Sequence, residues 1–191
     1  GRNGIKLWHG GDVIDSVVTD CGGDGCLIGD QTGRYRYLHV LATHYGEPGE
    51  PAGYLGTWGY DVAVADTSFS VEIVNSVFAE NAGPGGFYFP AEAQVSIRRS
   101  LFDDVDAKLV DLSDGTSLLV SDLAAFEATG RGSGNLVGVP LFEDDDCRRL
   151  AIPPSSPARD VGETVPLLDR DILGNARVAG AGPDLGPLET P

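Results

Sequence analysis

The sequence has no methionine, two lysines (Lys6 and Lys108), three cysteines and no apolar run near the roughly 20 residues that a membrane helix requires. The last absence argues against membrane insertion by a helix of this segment. Cations are also scarce, with 13 Lys+Arg against 29 Asp+Glu and a formal charge of −16. So acidic a chain would be repelled by phosphate, which argues against nucleic acid and anionic membrane surfaces as partners. Hydrophobic residues still make up 41%, enough for a core and too many for an acidic disordered segment. Without an initiating Met, Gly1 reads as a processed, cloned or truncated start. GRNGIKLW (1–8) already resembles the middle of a repeat, so the expectation is a piece of a longer protein.

Three cysteines leave the compartment open. Cys21 and Cys26 flank GGDG, so a local disulfide and two buried thiols both fit, and Cys147 has no evident partner. A C-x4-C spacing alone is too sparse for zinc.

What the chain does contain is a repeat. DSVVTDC (15–21) falls on NSVFAEN (75–81) at a shift of 60, and NSVFAEN on RSLFDDV (99–105) at a shift of 24; a shift of 23 from the first copy gives LHVLATH (38–44). Further short apolar runs, GIKLW, CLIG, YDVAVA and GGFYFP, lie between these copies. Such runs are too short and too rich in Val, Ile, Phe and Tyr for helices. Strands separated by Gly, Asp and Asn turns at about 22–25 residues per rung form the pattern of a β-solenoid, whose rungs bury their apolar faces only by stacking. A β-sandwich has no need of one motif at rung spacing. The fold expected is therefore all-β, a single-stranded parallel β-helix of about five rungs over residues 1–134, with a capping segment over 135–191 packed on it. YGEPGEPAGYLGTWGY (45–60) reads as a loop insertion too loose for a strand, and DLAAFEA (122–128) as a short helical cap over the open end.

From Gly134 onward the strings GNLVGVPLFEDDD, LAIPPSSPARDVG, DRDILGNARVAG and GPDLGPLE resemble the terminal segment of bacterial right-handed parallel β-helix proteins. These belong to the pectate-lyase-like superfamily, and the resemblance is to the group with a choice-of-anchor Q ending. The matching positions are Asn135, Pro140, Phe142, Ile152, Ser156, Pro157, Ala158, Asp160, Gly162, Asp171, Gly174, Arg177, Asp184, Gly186 and Glu189. Val139, Ile152 and Pro187 depart from the Asp, Leu and Ala usual in that pattern. The resemblance implies a right-handed β-helix in a secreted or surface-attached bacterial protein, and it says little about activity. On the residues themselves, Asp160, Asp171 and Asp184 suit Asx-type turns, with Arg177 bridging one or more of them. A Ca²⁺ site on these carboxylates is the competing reading, and no metal site is assigned.

Chemistry is sparse. The N-T-D, G-H-G and R-I-K strings of the pectin-hydrolase relatives do not occur, and neither does G-x-S-x-G; His9, His39 and His44 have no triad partner. The EDDD run (143–146) is a solvated loop rather than a calcium loop, since it lacks the D-x-D-x-D-G spacing. Rings are more suggestive. Trp8, Tyr54, Trp58, Tyr60 and Tyr88 are candidates for a platform that stacks on sugar faces, Tyr88 pointing outward if Phe87 and Phe89 point in. The expectation is a monomeric, non-catalytic, secreted or cell-surface module, glycan-binding or structural and adhesin-like. The alternative is a piece of a polysaccharide lyase or glycoside hydrolase with active rungs partly upstream, for which Asp61 and Asp66 are the carboxylates to test. Adaptation to high salt is a third reading of the acidic surface.

Overall fold

The structure, a computed structural model, describes residues 3–19, 25–30, 33–43, 53–56, 69–79, 86–89, 93–103, 105–106, 108–112, 117–142 and 151–190. Runs rich in β-branched and aromatic residues, cut by Gly, Asp or Asn, form short strands there. In chain order they are β1 (Asn3–Trp8), β2 (Gly11–Thr19), β3 (Gly25–Asp30), β4 (Arg34–Thr43), β5 (Gly53–Gly56), β6 (Ser70–Val74), β7 (Val77–Ala79), β8 (Gly86–Phe89), β9 (Gln94–Arg98), β10 (Leu101–Phe102), β11 (Lys108–Leu112), β12 (Ser117–Leu119), β13 (Gly132–Ser133) and β14 (Leu136–Val137). A short helix, α1 (Leu123–Ala128), precedes β13. Among the described residues no helix is long and apolar enough to cross a membrane.

The architecture is all-β and, apart from the antiparallel pair β11–β12, its named strands pair in parallel. One sheet runs β1-β3-β5-β8-β11-β12; the other runs β13-β9-β6-β4-β7-β10-β14, with β2 against β4. The second path passes through β4 because that strand bends at its centre, pairing with β6 on one side of the bend and β7 on the other. This curled sheet is a stack of bent strands with two arms. In one arm the register runs Val13–Tyr37–Ile73–Ile97–Gly132. In the other it runs Val17–Leu41–Val77–Leu101–Leu136.

Register corrects the repeat in one place. Asn75 lies on Asp15 and Arg99 on Asn75 at the expected shifts, but Asp15 is level with His39, not Leu38, because Ile14 pairs with Leu38 and Ser16 with Val40. The shift there is 24, not 23, and a one-residue slip would turn every side chain to the wrong face. The interval 45–60 is likewise not all loop, since it contains β5.

The bends form a column of their own. Asp15, His39, Asn75 and Arg99 have φ of 46°, 54°, 52° and 48°, and Gly134 on the fifth level has 62°. Left-handed backbone costs a residue with a Cβ on the order of 1–2 kcal/mol, least for Asn and Asp, so four such residues need compensating contacts. Each bend also shifts the in–out alternation by one. In β4, Tyr35 and Tyr37 face the interior before the bend, and Val40 and Ala42 after it. The backbone ladder is interrupted just past the bends, and side chains complete it. Ser76 Oγ accepts from Val40 N at 3.2 Å, Ser100 Oγ from Ser76 N at 3.2 Å, and Asn135 Oδ1 from Ser100 N at 3.0 Å.

The main core lies between the two sheets. Phe78 and Phe102, successive on one column, stack at 5.4 Å, and Phe87 from the other sheet meets Phe78 edge-on at 5.1 Å. At the last level the column ends in Gly132, and the buried ring of Phe126 on α1 occupies the place of the missing side chain; a Cβ there would lie 2.5 Å from it. The short helix therefore closes that end of the interior.

Candidate functional site

Two surfaces of the bent sheet differ in kind. On the first arm the outward residues of successive levels are Asp12, Arg36, Glu72, Ser96 and, by the same register, Arg131, with Arg34, Ser70 and Gln94 in the column beside them. Charge alternates up this ladder. Arg36 donates through Nε and Nη2 to Asp12, Arg34 to Glu72 at 3.1 Å, and Arg98 to Glu72 at 2.9 Å, to Glu163 at 3.0 Å and to Ser96 Oγ at 2.8 Å. Burial raises the Glu72 carboxyl, but the bonds from Arg98 and Arg34 outweigh it and hold the group below its usual range. Arg36 lowers Asp12 in the same way.

Ser96 is short, and the ladder opens above it into a shallow concavity of about 470 Å³ lined by Arg34, Ser70, Glu72, Gln94, Ser96 and Arg131. It offers amide, hydroxyl, carboxylate and guanidinium groups at strand spacing, the donor and acceptor mixture that recognises hydroxyl-rich ligands.

The second arm presents an apolar column, Leu41, Val77 and Leu101, buried under Ile152, Ala158 and Leu185 of the C-terminal segment. That segment has almost no regular structure and is fixed to the bends by polar groups. Arg177, 2% exposed, donates to the Asp15 carboxylate, to Gly186 O at 3.2 Å and to Pro187 O at 3.4 Å. His39 Nδ1 faces Gly186 O at 3.2 Å, and its Nε2 faces Asn75 Nδ2 at 3.0 Å. The Asn75 amide also pairs with the backbone of Glu163, giving to its O at 2.7 Å and taking from its N at 2.9 Å. Asn75 O accepts from Gly186 N at 2.7 Å. Two positions here favour glycine, Gly162 by close approach and Gly186 by its backbone conformation. A Cβ on Gly162 would lie 2.8 Å from Pro183 O and 3.1 Å from Asn75 Oδ1, while Gly186 has φ +90°.

The tail carboxylates serve as backbone caps. Asp171 accepts from Leu173 N, Asn175 N and Glu189 N at 2.8–3.1 Å, Asp184 from Asp160 N and Thr190 N at 2.8 and 2.9 Å, and Glu189 from Ala179 N and Asp184 N at 3.0 Å. One oxygen each of Asp160, Asp184 and Glu189 lies within 4.8 Å of the others, but both oxygens of Asp184 and of Glu189 already hold N–H groups. Burial raises the Asp184 and Glu189 carboxyls; it raises Asp171 too, where hydrogen bonds from Asn175, Glu189 and Leu173 outweigh it. The expected bridge from Arg177 to Asp160, Asp171 or Asp184 is corrected. Its carboxylate partner is Asp15, whose pairing the sequence did not signal.

Of the aromatic candidates, Trp8, Tyr54 and Tyr88 lie in strands of one sheet, β1, β5 and β8, but not in one column, since Tyr88 is level with Gly56. Their side chains, like those of Lys6, Cys26 and Lys108, fall outside the described residues, as do Trp58, Tyr60, Asp61, Asp66, Cys21, Cys147 and 143–146 as a whole. The ladder residues Arg34, Arg36, Glu72, Gln94 and Arg131 lie outside the repeated string, which starts at the bend. Alternate polar residues in RYR (34–36), SVE (70–72) and QVS (94–96) were the available signal. No family model matches this chain, and no curated protein or solved structure shows significant similarity to it.

Proposed function

We propose that this chain is a right-handed parallel β-helix module, of the pectate-lyase-like kind its tail resembles, which binds glycan without turning it over at the outer face of its bent sheet. The protein is secreted or held at the cell surface in this reading. The observation that carries it is the concavity between Arg34 and Arg131, floored by Ser70, Glu72, Gln94 and Ser96. Side chains there are spaced by the strand repeat of about 4.8 Å, close to the size of a sugar ring. Planar guanidinium and amide groups make paired hydrogen bonds to adjacent hydroxyls, and the fixed sheet limits the ordering cost of binding.

The test is a glycan array with the whole chain, followed by titration of any hit against Arg131→Ala and Gln94→Ala, with reducing-sugar and unsaturated-product assays in parallel. Binding weakened at least tenfold by either variant, with no product, is the expected result. An array without hits, or binding indifferent to both changes, overturns the reading. Product formation lost in Asp61→Asn or Asp66→Asn would instead assign the chain to a polysaccharide-degrading enzyme.

A further inference from the structure

We propose that the C-terminal segment 151–190 is an acid-released strap, opened by protonation of His39 at the centre of its seam with the bend column. The inference stands on the seam's hydrogen-bond geometry and is independent of the glycan reading.

His39 is wholly buried, and both ring nitrogens are engaged. Nδ1 faces a carbonyl, Gly186 O, which accepts only, so Nδ1 carries the proton. Nε2 faces Asn75 Nδ2, which donates only, so Nε2 must be bare. The Asn75 amide cannot be reversed, because its oxygen takes Glu163 N and its nitrogen gives to Glu163 O. One neutral tautomer therefore satisfies the whole set. A proton on Nε2 sets donor against donor, and the clash is relieved only by breaking the contact with Asn75 or by turning the amide away from Glu163. Gly186 O already serves both His39 and Arg177, so the new charge also arises beside a buried guanidinium. Burial first, and the Arg177 charge second, depress the imidazole to about 3, with the Gly186 and Asp184 carbonyls pulling the other way.

The surrounding charges do not rescue it. On the neighbouring level Asp15 is committed to Arg177, and Asp171 and Glu189 of the tail interact with that same pair. On His39's own strand, Arg34 and Arg36 are paired with Glu72 and Asp12. The sign follows from linkage. A base whose folded pKa is depressed contributes stability above its unfolded value of 6.5, and that contribution is lost as pH falls below it. Asp15, Asp184 and Glu189 are raised by burial, so their protonation favours the folded form as pH falls through their folded values. The His39 contribution declines as pH falls below 6.5, and protonation of these three carboxyls in the folded form opposes that decline. The scaffold levels retain their parallel ladders and interior core when the seam opens, whereas the apolar column of Leu41, Val77 and Leu101 is laid bare.

Hydrogen exchange by mass spectrometry on the whole chain at pH 7 and pH 5, corrected for intrinsic rates, reads this directly. Opening of peptides within 151–190 should rise up to tenfold per pH unit below about 6.5, as one linked proton dictates. Peptides from 69–79 and 93–103 should keep their protection, and His39→Gln should remove the pH dependence. Equal tail protection at both values, joint loss from tail and scaffold, or an unchanged pH dependence in His39→Gln overturns the proposal. If His39→Gln does not fold, imidazole NMR of the unmodified chain decides instead. His39 must titrate in step with tail opening, and a tail that opens while His39 stays neutral sinks the strap.

Discussion

The stacked strands and the C-terminal segment solve the same problem by different means. In the strands, backbone N–H and C=O groups satisfy one another level by level, and side chains are left to fill the core or face water. In segment 151–190 the only β-bridge is Arg170 with Ala176, and carboxylates and amides take the place of the missing neighbour strand. The two meet where the scaffold itself is irregular, at bends whose backbone is strained. A residue held at positive φ turns its side chain out of the ladder, and Asp15, His39 and Asn75 use that freedom to hold the tail. Strain in one region is compensated by polar contacts in the other, so the weak points of the molecule should lie at the seam.

That contrast is open to attack by substitution, beginning with the largest effect. Phe126→Ala removes the ring that closes the interior beside Gly132 and should cost about 3–5 kcal/mol in denaturant unfolding. Arg177→Ala leaves Asp15 without its partner at a largely buried site and should cost about 3 kcal/mol, with increased proteolysis confined to the tail. Between pH 6.5 and 5 the unmodified chain should lose on the order of 1.4 kcal/mol of stability per pH unit through His39, a slope absent from His39→Gln. Ser100→Ala strands one backbone N–H next to the bend column and should cost about 1 kcal/mol in the same unfolding assay, with the tail still attached. Smallest of all, Arg36→Ala breaks a half-exposed pair with Asp12 and should change stability by less than about 1 kcal/mol, an effect that salt erases.

Much of the scaffold was legible because stacking imposes a repeat on the chain. Asp15, Asn75 and Arg99 align through their shared polar–apolar string, and the apolar spacing of DLAAFEA matches its helix. The string LHVLATH puts Leu38 in that column where the register puts His39, because apolar side chains flank the bend on both sides and in–out parity is not visible in composition. The unequal spacings, 37 to 73 and 97 to 132 against 13 to 37 and 73 to 97, further blur any single period. In the tail, residue types announced turns and caps, as Asp171 shows with its bonds to Leu173 N and Asn175 N. Partners were another matter. Arg177 and Asp15 lie 162 positions apart, and nothing local distinguishes Asp15 from Asp171 as an ion-pair partner. The outer ladder is hidden in the sequence for a related reason. Its charges are scattered singly at strand spacing and become a surface only after the levels are stacked.

A double-mutant cycle on Asp15 and Arg177 tests the central claim most directly, because it joins the first complete bend to the end of the chain. Asp15→Ala, Arg177→Ala and the double variant should show a coupling energy of about 2 kcal/mol or more in denaturant unfolding, placing the tail on the bend column through that pair. A coupling within about 0.3 kcal/mol of zero would mean that the two residues do not meet, and would contradict the account of the seam.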